Sequence, residues 1–359
     1  MSIDSRFYTH PSDRAALKAL KAIPGFHQFV KAFMSVWNEK LFRIENMSNN
    51  LRVSEHQMKK YYDMLPPICE KLGIDIPELY IKLDIHPNSY TSGDTKPFIV
   101  ITSGLIERFP DELIESVLAH ECGHIACHHV LYRTMGQILL ESANYAASKF
   151  AFGGLITEPL IIAFMYWMRC SEFSADRAAI ICDGNADRVT NYCMRFAGYE
   201  PRCSEEADLN EFMNQAKEYA ELMKDSKSNK VMEFLWINLV KKIDHPLNSV
   251  RAYEAAKWAQ GEDALRIVDY LESGENEILD SIVLPVPDSS KKLVGQNYKN
   301  VKELFEDAGF SRIGVFEEQT TDKRKKSGTV LEVNINGKTS FGEDEWFSVD
   351  SVISIRYKP

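Results

Sequence analysis

The stretch from Ala119 to Val130 reads AHECGHIACHHV and holds four of the chain's nine histidines. Its core, His120-Glu121-Cys122-Gly123-His124, has the form H-E-x-x-H. On a helix, residues four apart share a face, so His120 and His124 present two imidazoles one turn apart, with Glu121 on the adjacent face. That is a metal-ligand spacing. Each imidazole offers a neutral ring nitrogen at ~2.0–2.1 Å, and Glu121 reaches the water whose pKa the metal lowers towards ~7, taking its proton during attack on a carbonyl. Val117, Leu118 and Ile125 hold the helix down, and Asp111-Glu112 at its start suits the positive end of the helix dipole. Gly123 lets a second helix approach closely, at ~1 kcal/mol of helix propensity. Cys122 and Cys127 lie off the metal-facing stripe and read as small core fillers. His128 lies one further turn along, ~6 Å up an ideal helix from His124, so it and His129 read as non-ligands.

Two imidazoles do not hold a catalytic zinc, and a third ligand has to come from elsewhere in the chain. Residues 169–179, RCSEFSADRAA, place one carboxylate four residues before another. If this segment is helical, Glu172 and Asp176 share a face, with Glu172 a ligand and Asp176 hydrogen-bonding a ligating histidine. Ala175, Ala178 and Ala179 permit close packing of that helix. The cofactor expected is one zinc ion per chain.

The 359 residues are 45% hydrophobic and 26% charged, enough for two or three folded domains. A net charge of -10 excludes a nucleic-acid binder, and the longest basic run, KRKK at 323–326, reads as a solvated loop. The N-terminal residues contain no apolar stretch of signal-peptide length, which predicts a cytoplasmic protein. Seven scattered cysteines without a C-x-x-C pair predict reduced thiols. In the most apolar run, 151–168, Glu158-Pro159 leaves only Leu160–Met168 unbroken, against ~20 residues for a spanning helix. A buried core helix is expected there, not a membrane span. Phe164, Tyr166 and Trp167 in this run have two readings, as core and as the lining of a substrate pocket.

The expected fold class is α+β. Residues 1–74 form a helical region packed on the core, with helices over 11–48, broken at Pro24-Gly25, and over 54–72, bent at Pro66-Pro67. Residues 75–275 form a mainly helical domain with a small sheet. Its strands are 79–85 and the β-branched FIVIT at 98–102, ending at the breaker Gly104, with a turn-rich segment at 86–97 between them. Two helices are expected around the Gly153-Gly154 and Glu158-Pro159 breakers of 139–182, and mostly helix over 186–272. VLPVPDSS at 283–290 reads as a linker, and 283–359 as a small α/β domain with one short helix at 301–309 and strands at 329–335 and 350–357.

AHECGHIACHH followed by RCSEFSADRAA resembles the HtpX-like and CAAX-prenyl-protease-like zinc metallopeptidases, gluzincins patterned H-E-x-G-H and then E-x-x-x-D-x-x-A. NSYTSG (88–93), FIVITSGLI (98–106) and DHPLNSVR (244–251) extend the resemblance over about residues 75–260. It implies a zincin-like metallopeptidase domain over 75–275, a metalloendopeptidase acting on a peptide or protein substrate. It further implies that the edge strand Phe98, Ile99, Val100 and Ile101, with Asn88 before it, binds an extended peptide by strand addition. His245 would stabilise the oxyanion, and Arg251 would brace the site through a carboxylate. The chain departs from membrane members of that family in lacking their unbroken spanning helices. The tail resembles a PASTA-like domain, with a Pro-rich entry, Gly295-x-x-Tyr298-x-x-Val301 and a helix ending Ala308-Gly309-Phe310, which implies a binding partner for 283–359. The competing reading is a catalytically idle metallopeptidase-fold scaffold whose binding is done by that tail.

Overall fold

A computed structural model describes residues 1–142, 157–198, 206–225, 247–273, 283–319, 326–342 and 345–359. It divides into two compact units, Met1–Ala264 and Leu265–Pro359. The division falls within a helix, upstream of the 276–282 gap between the expected domains.

Three N-terminal helices, α1 (Pro11–Lys21), α2 (Phe26–Val36) and α3 (Glu39–Asn49), open the first unit. Strand β1 (Leu51–Val53) precedes the expected helix over 54–72, which is mostly helical but divided: a turn leads into two short helices, α4 (Lys59–Tyr62) and α5 (Leu65–Leu72). Pro66-Pro67 does not bend a helix but starts α5, where a missing N–H costs nothing.

The sheet continues with β2 (Glu78–Lys82), β3 (Ser89–Ser92) and β4 (Phe98–Thr102). Its order is β1-β2-β4-β3, with β2 and β4 parallel and the outer pairs antiparallel. Two expectations are corrected here. The 86–97 segment contains a strand, β3, and β3 forms the edge. The segment 98–102 is interior, with Phe98, Ile99, Val100 and Ile101 all buried. A strand paired on both sides has no backbone groups left for a peptide, and its uniformly apolar sequence is the pattern of a strand covered on both faces. Gly104 does not end structure but lies inside α6 (Ser103–Arg108), where a Cβ would stand 2.3 Å from the Ile85 carbonyl oxygen.

The two central helices are α7 (Asp111–Ala126) and, after α8 (Val130–Ser142), the 26-residue α9 (Glu158–Asp183). Glu158-Pro159 starts α9, so the apolar run up to Met168 and the RCSEFSADRAA segment belong to one helix. Gly153-Gly154 lies outside the described residues. A Cβ at Gly123 would stand 2.6 Å from Ala178 Cβ and 3.1 Å from Ala175 Cα, so α7 and α9 touch almost backbone to backbone. Phe164 and Trp167 pack with Phe26, Phe29 and Phe33 in the core, while Tyr166 is exposed, which decides against an aromatic pocket. Among the described residues, no helix is long and apolar enough to cross a membrane. Helices α10 (Asp187–Ala197), α11 (Leu209–Asp225), α12 (Asn248–Ala259) and α13 (Glu262–Ser273) follow; α12 packs on α10, α11 and α9.

In the second unit, β5 (Val283–Pro285) pairs with β8 (Trp346–Ser348), and β6 (Ile313–Glu317), β9 (Ile353–Tyr357) and β7 (Val330–Ile335) form a three-stranded sheet in that order. Helices α14 (Ser290–Leu293) and α15 (Tyr298–Ala308) complete it. The supposed linker 283–290 is therefore structural: β5 is paired, and Leu284 and Val286 are buried against Val301, Phe305 and Ile355.

Candidate metal centre

Helix α7 carries His120, Glu121 and His124, and α9 carries Glu172 and Asp176. The close approach at Gly123 brings the two sets face to face. His120 Nε2 lies 3.5 Å from Glu172 Oε2, and His124 Nε2 lies 3.4 Å from Glu172 Oε1. One ligand atom from each of these three residues can be chosen so that all lie within 4.8 Å of one another, and all three side chains are buried. Tetrahedral zinc with ligands at ~2.0–2.2 Å separates its donors by roughly 3.3–3.5 Å, so the trio has the right size. His124 Nε2 is buried and makes no hydrogen bond among the described residues, a donor atom aimed where a cation would satisfy it. Around it, the buried carboxylates Glu121, Glu172 and Asp176 outnumber the buried guanidiniums Arg133 and Arg251 by one. The donor set and the charge both fit a divalent cation.

His120 Nδ1 lies 2.9 Å from Asp176 Oδ1, which orients the ring and turns Nε2 towards Glu172. Tyr192 Oη donates to the same carboxylate oxygen at 2.6 Å, and Arg251 grips both oxygens. Burial alone would raise the Asp176 carboxyl, but the charge and hydrogen bonds of Arg251 outweigh it and hold the group well below the usual carboxylate range. Burial opposes protonation of His120, yet hydrogen bonds to Asp176 and Glu172 carry that imidazole up to about 9. His124 goes the other way: burial and the nearby Arg133 guanidinium hold it well below the ordinary imidazole range. Glu172 sits between two cations, with Arg133 Nη1 at 2.5 Å from Oε1 and Arg251 Nη1 at 3.1 Å from Oε2.

Glu121 faces the edge of the sheet. Its Oε1 accepts from Ser89 Oγ at 2.7 Å and its Oε2 from Thr91 Oγ1 at 2.6 Å, so β3 fixes both oxygens of a buried carboxylate. Asn88 precedes β3 and is tied to Thr102: its backbone N–H donates to Thr102 Oγ1 at 2.9 Å, and its carbonyl accepts from the Thr102 N–H at 3.0 Å. His245 lies outside the described residues.

Several participants carry no signal in the sequence. Helix α7 stops at Ala126, and His128 takes a left-handed conformation, φ 56°. The expected further turn carrying His128 on the metal face therefore does not exist. Instead the reversal returns His129 beneath His124, their Nδ1 atoms 3.0 Å apart. Arg133 belongs to no motif in the mixed sequence of α8, and Ser89 and Thr91 look like turn residues. Only pairing with β4 gives them direction.

The sequence profile of peptidase family M48 matches residues 68–259, more than half of the chain. This protein belongs to peptidase family M48. The plastoglobule-localized metallopeptidase 48, chloroplastic, of Arabidopsis thaliana is 32% identical to this M48 chain over 262 residues, covering 72% of it and 74% of the relative. Protease HtpX homolog 2 of Methanosarcina mazei is 24% identical over 173 residues, 42% of this chain and 59% of the relative. The crystal structure of S. mikatae Ste24p aligns with 72% of this chain and 65% of its own at 18% identity, with a TM-score of 0.23, a likeness too slight to argue from. Membership of family M48 supports a metal-dependent protease. The M48 match leaves out α1, α2 and α3.

Proposed function

We propose that this M48 protein is a zinc-dependent endopeptidase whose metal is held by His120, His124 and Glu172, one ion per chain. The convergence of those three buried side chains, with Glu121 beside them, carries the reading. Zinc bound there would acidify a water and polarise the scissile carbonyl. Glu121, held in place by Ser89 and Thr91, takes the proton of the attacking water and passes it to the leaving amine. Asp176 keeps His120 oriented, and Arg251 and Arg133 keep Glu172 ionised and in place. An extended peptide adds to the edge strand β3, which itself carries the hydroxyls that hold Glu121, rather than to the interior 98–102 strand, with Asn88 just before that edge. His245, by its place in the His-Pro…Arg segment, stabilises the oxyanion. Residues 283–359 are read as a PASTA-like module that binds a larger partner.

The test is metal analysis and cleavage of casein or a peptide library by wild type and Glu121→Gln. Wild type should carry one zinc and cut, while the variant keeps the zinc and cuts ~10²–10⁴-fold more slowly. Stoichiometric zinc without any cleavage, identical in both proteins, would mean an idle scaffold instead.

A further inference from the structure

Asp13, on helix α1 and outside the matched M48 region, is buried and accepts from three directions. Trp167 Nε1 donates to Oδ1 at 2.9 Å, Ser174 Oγ donates to Oδ2 at 2.6 Å, and His129 Nε2 lies 2.9 Å from Oδ2. The other nitrogen of that ring, His129 Nδ1, lies 3.0 Å from His124 Nδ1, and both rings are buried. Two imidazole nitrogens this close need one proton between them, and the chain dictates which ring supplies it. A carboxylate can only accept, so His129 donates from Nε2 and a neutral ring then has a bare Nδ1. That atom accepts from His124 Nδ1–H, which leaves the lone pair of His124 on Nε2, the nitrogen turned towards Glu172.

We propose that Asp13 and His129 are positioning residues that fix His124 in the tautomer able to ligate metal, so that the N-terminal helix is part of the metal centre. The inference rests on the reading of His124 as a ligand. Carboxylate, imidazole and ligating imidazole form one line from α1 to α7, comparable to the Asp176–His120 contact on the other side. Only His120 receives its support from within the helix that supplies Glu172.

The substitution Asp13→Asn discriminates sharply, because its amide has one allowed orientation. The indole N–H of Trp167 must meet the amide oxygen, which turns the amide NH2 towards Ser174 and His129. Ser174 Oγ can accept, as it already does from the His10 backbone N–H at 2.9 Å. His129 Nε2 must then accept too, its proton moves to Nδ1, and His124 is driven to carry its own proton on Nε2. Asp13→Ala imposes no such reversal.

Full-length wild type, Asp13→Asn, Asp13→Ala and His124→Ala are titrated with zinc by chelator competition, with thermal melting as a check on folding. Asp13→Asn should bind zinc ~10–100-fold more weakly than wild type, and Asp13→Ala should fall between the two. A merely structural role gives the reverse order, since Ala loses volume and every hydrogen bond whereas Asn keeps the Trp167 contact. Long-range 15N–1H spectra of histidine-labelled, zinc-loaded wild type should show His129 protonated at Nε2 alone. They also decide the matter should Asp13→Asn fail to fold. Wild-type affinity in Asp13→Asn, or a proton on His129 Nδ1 in wild type, would overturn the proposal while leaving the metal site standing. Wild type without zinc, or undiminished affinity in His124→Ala, would remove the reading beneath it and the proposal together.

Discussion

The guanidinium of Arg251 meets the carboxylate of Asp176 along two parallel contacts, Nε to Oδ2 at 2.8 Å and Nη2 to Oδ1 at 2.6 Å. Both residues are buried, and the remaining nitrogen, Nη1, reaches Glu172. One side chain of α12 therefore neutralises both the Glu172 carboxylate and the Asp176 carboxylate that orients His120. Replacing Arg251 by Met should cost ~3–5 kcal/mol, because two buried carboxylates lose their shared cation. Arg251→Lys keeps the charge but not the fork and should fall between. Urea unfolding of the three proteins measures this, and a loss below ~1 kcal/mol in Arg251→Met would show that the pair is not the brace its geometry suggests.

Gly123→Ala tests the contact that brings the two halves of the site together. On an open helix the change gains ~1 kcal/mol. Here the new methyl would lie 2.6 Å from Ala178 Cβ and 3.1 Å from Ala175 Cα, neither of which can swing aside. Overpacking of this kind costs ~1–3 kcal/mol, so the melting temperature should drop and metal retention should weaken with it. The pair Gly123→Ala with Ala178→Gly should recover part of the loss. An unchanged melting temperature in Gly123→Ala would mean that α7 and α9 are farther apart.

Asp183, the last residue of α9, sits where the helix dipole disfavours a negative charge. Burial carries its carboxyl up to about 6, against the hydrogen bond from Ser116 and the charge of Arg188. A carboxyl raised on folding contributes stability that is full below its unfolded pKa of ~3.9 and is lost as the pH rises through the folded value. Between pH 4 and 7, wild type should therefore lose about 2 kcal/mol relative to Asp183→Asn. Denaturant midpoints of both proteins across that window give the difference directly, and a flat difference would place the carboxyl in its ordinary range.

Ser89 and Thr91 hold Glu121 from the sheet edge. Ser89→Ala with Thr91→Val should lower kcat by at least about tenfold through misplacement of the base, with zinc content and KM little changed. A large rise in KM at constant kcat would assign the two hydroxyls to substrate instead.

The grouping of the candidate metal residues was legible because helical periodicity is local. His120 and His124 on one helix, and Glu172 and Asp176 on another, declare their shared faces by spacing alone. What was not legible is set by chain reversal and by pairing. SYTS at 89–92 is short and polar, and becomes a strand only because Ser89 and Ser92 register with Ile101 and Phe98. FIVIT has the composition of a strand, but composition does not tell an edge from an interior position. The role of His129 depends on one left-handed residue, His128, that no glycine announces. Asp13, Trp167 and Ser174 meet across long sequence separations through the packing of α1 on α9.

Anomalous diffraction from crystals of the zinc-loaded protein, recorded on both sides of the zinc absorption edge, locates the ion among the side chains. The expected result is one peak bounded by His120 Nε2, His124 Nε2 and the Glu172 carboxylate, at ~2.0–2.2 Å from each, with Glu121 close by but not a ligand. A peak held by other residues, or no zinc between these three in protein that cleaves peptides, would contradict the assignment of this site as the centre of catalysis.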